Sequence, residues 1–195
     1  MKTAKTRKYY ALIALITLGL LTVNLVSAQE FKLNDNASTL KVLGTSNLHD
    51  WHLQGEQKSG EITFEDLGKC AIKTCDFKVK SEALLSGKKA MDKNTFKALK
   101  TDEYKNITFN LVKVDNVLEK GANKYLVKGH GDLTITGVTQ RIPIEFNVDI
   151  NQGKIILEGT KKIKMTDYNV DPPTALFGAI TTGDELTIEF KNIYQ

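Results

Sequence analysis

The residues that could carry chemistry are few and are spread along the chain. Ser46, His49 and Asp50 form one local grouping of a hydroxyl, an imidazole and a carboxylate, the three groups of a nucleophilic triad. Triad partners are seldom neighbours in sequence, because the fold brings them together from separate segments. The grouping is weak evidence for a hydrolase, and we predict no catalytic residue and no enzymatic activity.

The three histidines give little support for a metal site. If residues 48–53 form a strand, His49 and His52 point to opposite faces, because side chains alternate along a strand. No zinc-ligand spacing accompanies them, and His130, flanked by glycines, is typical of a structural residue. No glycine-rich phosphate loop is present either. We therefore expect no metal ion and no nucleotide cofactor.

Cys70 and Cys75 are the two cysteines of the chain, with four residues between them. In an oxidising compartment this spacing suits a disulfide across a tight hairpin or bend. The loop-entropy model gives such a short ring roughly 2 kcal/mol of stabilisation. Two free thiols on neighbouring strands are the alternative.

Residues 1–28 have the order of a secretory signal peptide. Four basic residues precede an almost unbroken apolar run over 9–23, and small residues lead to Ala28 and Gln29. We expect cleavage between Ala28 and Gln29, which leaves no stable membrane span and an exported protein, periplasmic or secreted. An uncleaved anchor is the alternative, because the apolar run is marginally long enough for a bilayer.

The charge balance disfavours nucleic acid as a partner. The chain has 27 basic and 23 acidic residues. Four of the basic residues and none of the acidic ones lie in 1–28, which leaves 23 against 23 in residues 29–195. A neutral chain whose lysines are spread among acids lacks the basic stripe that phosphate binding needs.

Short segments of alternating apolar and polar residues dominate residues 29–195. They cover 40–42, 62–64, 77–79, 107–109, 133–135, 142–148, 163–165 and 186–190. Glycine-containing turns separate them, which favours antiparallel neighbours. We predict one all-β domain, an eight-stranded antiparallel barrel with a short helical insert around 84–104, where Met91, Thr95 or Phe96, and Leu99 have helical spacing.

A barrel of about eight strands is either filled by its own side chains or wide enough for one slender ligand. Residues 171–180 form an apolar segment without strand alternation. Because such a segment is unfavourable in water, it should cover a core, line a cavity mouth or contact a partner.

Several stretches resemble one known family. They are Ser46–Trp51, Met91–Phe96, Asp102–Phe109, Gly131–Thr139 and Met165–Val170. In this order and spacing they resemble the YceI-like family of exported, lipocalin-like proteins, from about residue 31 to residue 190. The resemblance implies an eight-stranded barrel whose interior tunnel binds a polyisoprenoid, such as the tail of a quinone, in the periplasm.

The candidate tunnel residues follow from the alternation and from the predicted helix. They are Trp51, Phe96, Leu99, Phe109, Leu133, Ile135, Ile144, Phe146, Phe177 and Ile188. Phe96 and Leu99 should point from the insert toward the barrel, and Trp51, Phe109 and Phe177 should lie near an opening. Ordinary core packing is the alternative for each of them.

These observations favour an exported lipid-binding protein that holds a polyisoprenoid or similar long apolar molecule, such as a quinone-like lipid, inside a barrel. The alternative is a non-enzymatic periplasmic interaction or stress-response module with a filled barrel, whose Leu176–Phe177 segment contacts another protein. A hydrolase or metal-dependent enzyme is a third hypothesis. Whether the chain forms a homodimer stays open.

Overall fold

The computed structural model describes residues 29–195. The expected signal peptide, with Ala28, lies outside the described residues, and Gln29 opens the first strand. The strands are β1 Gln29–Lys32, β2 Thr39–Ser46, β3 Trp51–Gly55, β4 Lys58–Asp66, β5 Ala71–Lys80, β6 Leu84–Leu85, β7 Asn106–Gly121, β8 Lys124–Ile135, β9 Val138–Asn151, β10 Lys154–Lys164, β11 Thr174–Ala175 and β12 Ile180–Tyr194. One α-helix, α1, covers Lys89–Ala98 within this part of the chain.

The predicted count of eight strands was wrong. Every alternating segment of the sequence falls on a strand, although 163–165 runs one residue past the end of β10, and β1, β3, β6 and β11 are additional. These four strands have between two and five residues. So few residues show little periodicity, and they form strands because a neighbouring strand offers hydrogen bonds.

The strands form a curled antiparallel sheet. Its order is β1-β4-β5-β7-β8-β9-β10-β12-β2-β3-β6, and β11 pairs with β12 alone. At one edge, β1 meets the end of β12 through two hydrogen bonds between Lys32 and Gln195, of 3.1 and 2.9 Å. At the other edge, β6 follows β5 through the 3-10 turn Ser81–Ala83 and pairs with β3. The curl agrees with a lipocalin-like barrel.

One end of the barrel is filled by side chains. The β7–β8 and β9–β10 hairpins meet there, and buried residues of six strands pack together inside them. This closed-end cluster comprises Ile62, Phe64, Cys70, Cys75, Tyr125, Val127, Ile144, Phe146, Val148, Ile155, Leu157 and Tyr194. It joins segments that are far apart in sequence and supplies a continuous core.

Helix α1 lies at the opposite end. Its Ala98 and the adjoining Leu99 pack against a cluster that includes Leu133 and Ile163, while Met91 packs toward β2 and β3. Asp92, in the first turn, accepts hydrogen bonds from the backbone N–H and the hydroxyl of Ser86, at 2.7 and 2.6 Å. These bonds tie the start of the helix to the segment that leaves β6.

The structure has Cys70 and Cys75 as free thiols within residues 29–195, in place of the predicted disulfide. Cys70 ends a 3-10 turn in the left-handed conformation, and Cys75 lies on β5. Both side chains are buried in the closed-end cluster, where the Cys75 Sγ lies 3.9 Å from the Tyr194 hydroxyl. Each thiol thus packs as a small apolar group.

An ion pair between a buried lysine and a partly exposed aspartate links the start of β4 to the segment between β1 and β2. The Lys58 Nζ lies 2.7 Å from Asp35 Oδ1, and the Lys58 side chain is 5% exposed. Its ammonium also donates to the Gly55 carbonyl at 2.9 Å. Burial raises the pKa of Asp35, but the hydrogen bonds and charge of Lys58 outweigh it and lower that pKa.

Replacing this carboxylate should destabilise the barrel. We expect Asp35→Asn to lower the free energy of unfolding by about 1 to 2 kcal/mol, because the buried ammonium loses its counterion. The stabilisation is present above the ordinary Asp pKa and is lost as the pH falls through the lowered one, so the variant should lose less stability in acid. Urea unfolding at several pH values measures both effects.

Glu185→Gln is the matched control, because Glu185 pairs with Lys162 where both side chains are more than half exposed. It should change stability by less than about 0.5 kcal/mol. Equal effects of the two substitutions would contradict a special role for the Lys58–Asp35 pair.

The cysteines should be unreactive in the folded protein. Burial raises the pKa of Cys70 to about 11 and that of Cys75 to about 12. Because the thiolate is the reacting species, Ellman's reagent near pH 8 should label neither thiol until guanidinium unfolds the chain, and then both. A denatured, unreduced chain with no reactive thiol would restore the disulfide, and rapid labelling of the folded protein would contradict the burial.

Candidate functional site

The barrel interior between the closed-end cluster and α1 holds a cavity of about 460 Å³. Inward-facing side chains of nearly every long strand line it, together with one face of the helix and part of the segment before β12. Its volume is within the range of small-molecule sites, roughly 300 to 1,000 Å³. Most of the lining is aliphatic or aromatic, so the cavity suits an apolar guest.

The structure brings eight of the ten candidate residues to this cavity. They are Trp51, Leu99, Phe109, Leu133, Ile135, Ile144, Phe146 and Ile188. Ile144, Phe146, Leu133 and Ile135 are buried at alternate positions of β9 and β8, as the period of two requires. That these residues bind a lipid stays a prediction.

Phe96 and Phe177 do not line the cavity, which corrects two of the predictions. On α1 the lining positions include Met91 and Thr95, and Phe96 is rotated from Thr95 by about 100° around the helix. Phe177 lies in the 3-10 turn Leu176–Gly178, where its side chain is fully exposed. The residues on either side of this tip line the cavity instead, namely Pro173, Thr174 and Ala175 before it and Ile180 and Thr182 after it.

Two aromatic lining residues are positioned over glycines. The Trp51 ring covers Gly44 of the paired strand so closely that a Cβ there would collide with it, and its Nε1 donates to the Thr45 carbonyl at 3.0 Å. The Phe109 ring covers Gly131 of β8 in the same way. A glycine opposite an aromatic residue therefore fixes each ring against the wall.

Polar residues also line the cavity, at positions that were not predicted from the sequence. On β12 the inward row continues from Ile188 and Phe190 to Asn192 and Tyr194. On β10 the inward positions include Lys161, between Gly159 and Ile163. The alternation along β10 and β12 could have identified these inward positions. A polar residue there, however, interrupts the apolar pattern by which an inward-facing row is recognised.

Two buried polar atoms at the cavity have no hydrogen-bond partner among residues 29–195: the Tyr168 hydroxyl and Asn192 Oδ1. Tyr168 is 1% exposed and Asn192 is 6% exposed. Burial raises the pKa of Tyr168 to about 12, so the phenol stays protonated. Because buried polar groups are nearly always paired, these two atoms lower the stability of the ligand-free protein.

The other candidates for chemistry serve local structure. The Ser46 hydroxyl donates to the His49 carbonyl at 2.7 Å and accepts from the N–H groups of Leu48 and His49. The three residues Ser46, His49 and Asp50 thus build a turn, and the His49 Nδ1 lies 2.8 Å from the Asp50 carbonyl. His130 Nδ1 lies 2.6 Å from Asp115 Oδ2 at the surface.

Over residues 29–195 the structure shows no group of three or more His, Cys, Asp or Glu side chains placed to hold a metal ion. The described helix is also too short and too polar to cross a membrane.

Removing the unpartnered phenol should stabilise the ligand-free protein. We expect Tyr168→Phe to raise the free energy of unfolding by about 1 kcal/mol, because it deletes a desolvated hydroxyl and keeps the ring. Tyr125→Phe is the matched control and should lower it by about 1 kcal/mol, since the Tyr125 hydroxyl donates to the Gly68 carbonyl at 2.7 Å. Urea denaturation checks both, and a clear loss of stability in Tyr168→Phe would contradict the unpaired hydroxyl.

Solved structures similar to this one share the fold at low sequence identity. BcnA of Burkholderia cenocepacia is 20% identical, with a TM-score of 0.66 over 83% of this chain and 98% of its own. A polyisoprenoid binding domain from Saccharophagus degradans, implicated in plant cell wall breakdown, is 17% identical, with a TM-score of 0.67 over 85% and 97%. The YceI protein of Campylobacter jejuni is 21% identical, with a TM-score of 0.57 over 72% and 82%.

No curated protein sequence matches the chain. The family model of the YceI-like domain, however, matches residues 31–192, which is most of the chain and runs from within β1 to within β12. The match includes every strand that lines the cavity and the helix that lies over it. The chain therefore belongs to the YceI-like family.

Proposed function

We propose that this chain is an exported lipid-binding protein that holds a polyisoprenoid or a similar long apolar molecule, such as a quinone-like lipid, inside its barrel. The observation that carries the proposal is the cavity of about 460 Å³ with its apolar walls. Inward-facing Leu133 and Ile135 of β8 and Ile144 and Phe146 of β9 line it. A hydrocarbon chain packed against them would leave water.

The energetics of such a guest need few polar contacts. Each methylene transferred from water into an apolar site contributes about 0.8 kcal/mol, so a prenyl chain of modest length binds by burial alone. A wall of strands fixes the inward side chains before binding, which reduces the entropy lost when the guest enters. Family membership supports the proposal, because a relative of similar fold is a polyisoprenoid binding domain.

Export and the absence of catalysis are parts of the same proposal. Export rests on the order of basic, apolar and small residues in 1–28. A binding role without catalysis rests on the Ser46–His49–Asp50 turn, whose hydroxyl is engaged by backbone groups instead of an imidazole. In this proposal the protein carries out no covalent step.

One observation favours the interaction module as a second candidate. Leu48, Leu176 and Phe177 are 65%, 70% and 112% exposed. Asn47 connects their two loops, since its side chain donates to the Ala179 carbonyl at 2.9 Å and accepts from the Thr181 N–H at 3.0 Å. These three apolar side chains offer a protein contact, whereas the cavity argues against the filled barrel that this candidate assumed.

Native mass spectrometry of the exported protein, followed by organic extraction, tests the lipid-binding proposal. We expect one apolar molecule per chain to co-purify with the wild type. Ile188→Trp should abolish this co-purification, because the indole would occupy the cavity, while stability changes by less than the roughly 1 to 3 kcal/mol of overpacking in a filled core.

Glu189→Trp is the control, since the next residue of β12 is exposed on the outer face. It should keep the bound molecule at the wild-type amount. A wild type that carries no lipid, or an Ile188→Trp variant that carries as much as the wild type, would overturn the proposal.

A further inference from the structure

Two neighbouring lysines of β10 face opposite sides of the barrel wall. Lys162, on the outer face, pairs with Glu185 of β12 at 2.9 Å. Lys161 points to the other face, because side chains alternate along a strand, and it lines the cavity. Within residues 29–195 the Lys161 ammonium has no acidic side chain in salt-bridge contact and no hydrogen-bond acceptor. The inner lysine thus lacks the partner that the outer one has.

The surroundings of Lys161 are apolar. It pairs in register with Ile188 of β12, which pairs in turn with Val42 of β2. The inward positions on either side of it along β10 are Gly159 and Ile163. Of the residues that the structure describes, no Asp or Glu lines the cavity. The cavity therefore carries positive charge that no carboxylate of its walls balances.

The wall is less complete at Lys161 than at the closed end. The pairing of β9 with β10 ends at Phe146 and Gly159, and beyond this point β10 is paired with β12 alone. Lys161 is partly exposed, whereas Leu157 and Ile163 of the same inward row are 3% and 8% exposed. A guest in the cavity can therefore reach the lysine side chain.

A wholly apolar guest would be poorly matched to this lysine. A guest that fills the cavity displaces water from the ammonium, and a charge that loses its hydration without gaining a partner is unfavourable. A carboxylate on the guest supplies that partner, because it accepts charge-assisted hydrogen bonds from an ammonium. Lys88, the other lysine of the lining, is exposed just before α1, so it keeps its hydration.

We propose that the guest is a long-chain carboxylic acid whose carboxylate pairs with the Lys161 ammonium on the cavity wall. The proposal rests on the proposed lipid-binding function and specifies its ligand class. One ammonium balances one negative charge, which favours a monocarboxylate over a diphosphate. The apolar chain of the guest then packs against inward residues of β8 and β9, such as Leu133 and Phe146.

Two probes with the same prenyl chain separate the charge from the tail. Geranylgeranoic acid is ionised near neutral pH, and its methyl ester keeps the chain and both oxygens but has no charge. Trp51 is the single tryptophan and lines the cavity, so its fluorescence reports binding of either probe. At concentrations below those at which the probes aggregate, we expect the wild type to bind the acid about tenfold more tightly than the ester, as one charge-assisted hydrogen bond allows.

Lys161→Met should remove this preference, because methionine keeps an unbranched side chain and lacks the charge, so both probes should then bind equally. Lys162→Met is the matched control, since it removes the same charge from the outer face one residue away, and it should keep the tenfold preference. The ligand-free Lys161→Met protein should be at least as stable as the wild type in thermal unfolding, because it loses an unpaired inward charge.

Equal affinity of the wild type for acid and ester, or tighter binding of the ester, would overturn the head-group proposal while the proposed function stands. A preference for the acid that persists in Lys161→Met would also overturn it, since the carboxylate would then pair elsewhere. If neither probe binds the wild type, this proposal and the proposed function both fail. The comparison of the two probes on the wild type needs no variant to fold.

Discussion

The packing of the closed-end cluster is the interaction on which the rest of the molecule depends. Phe64 of β4, Val127 of β8, Val148 of β9 and Tyr194 of β12 are each 1% exposed or less, and they meet inside one end of the barrel. This contact holds distant segments in register. Because so much apolar surface is buried there, the other end can stay hollow without loss of the fold.

The hollow end is closed by segments that polar bonds hold in place. Asp92 fixes the start of α1 to Ser86, and the Thr101 hydroxyl donates to Glu82 at 3.1 Å just after the helix. Asn47 joins the loop after β2 to the segment before β12. The segments that cover the cavity are thus held by a few hydrogen bonds, whereas the closed-end cluster is held by close packing. Segments held in this way open at lower free energy than a packed core, which suits the entry of a guest.

The long strands could be predicted from the sequence, because their apolar residues recur at a regular period. The features that depend on single contacts, such as the shortest strands and individual lining residues, could not. Long strands with an apolar inner face, such as β9, were evident because their alternation persists over many residues. Strands of two residues exist through pairing alone and leave no pattern. Thr95 and Phe96 are adjacent on α1, and the sequence favoured Phe96 as a lining residue because its side chain is aromatic. The geometry of α1 turns Thr95 to the cavity instead. Asn192 was missed because a polar residue on an inward row contradicts the rule that identified the row.

Such a contradiction of the local rule is informative about function. A barrel selected for stability alone would have leucine at position 192 and phenylalanine at position 168, since each polar atom lacks a partner in the described chain and lowers the stability of the ligand-free fold. A guest that binds only the folded state stabilises it by an amount that grows with the logarithm of the guest's concentration over its Kd. A purely apolar cavity of this size would accept hydrocarbon chains in either direction, because burial of methylenes has no polarity along the chain.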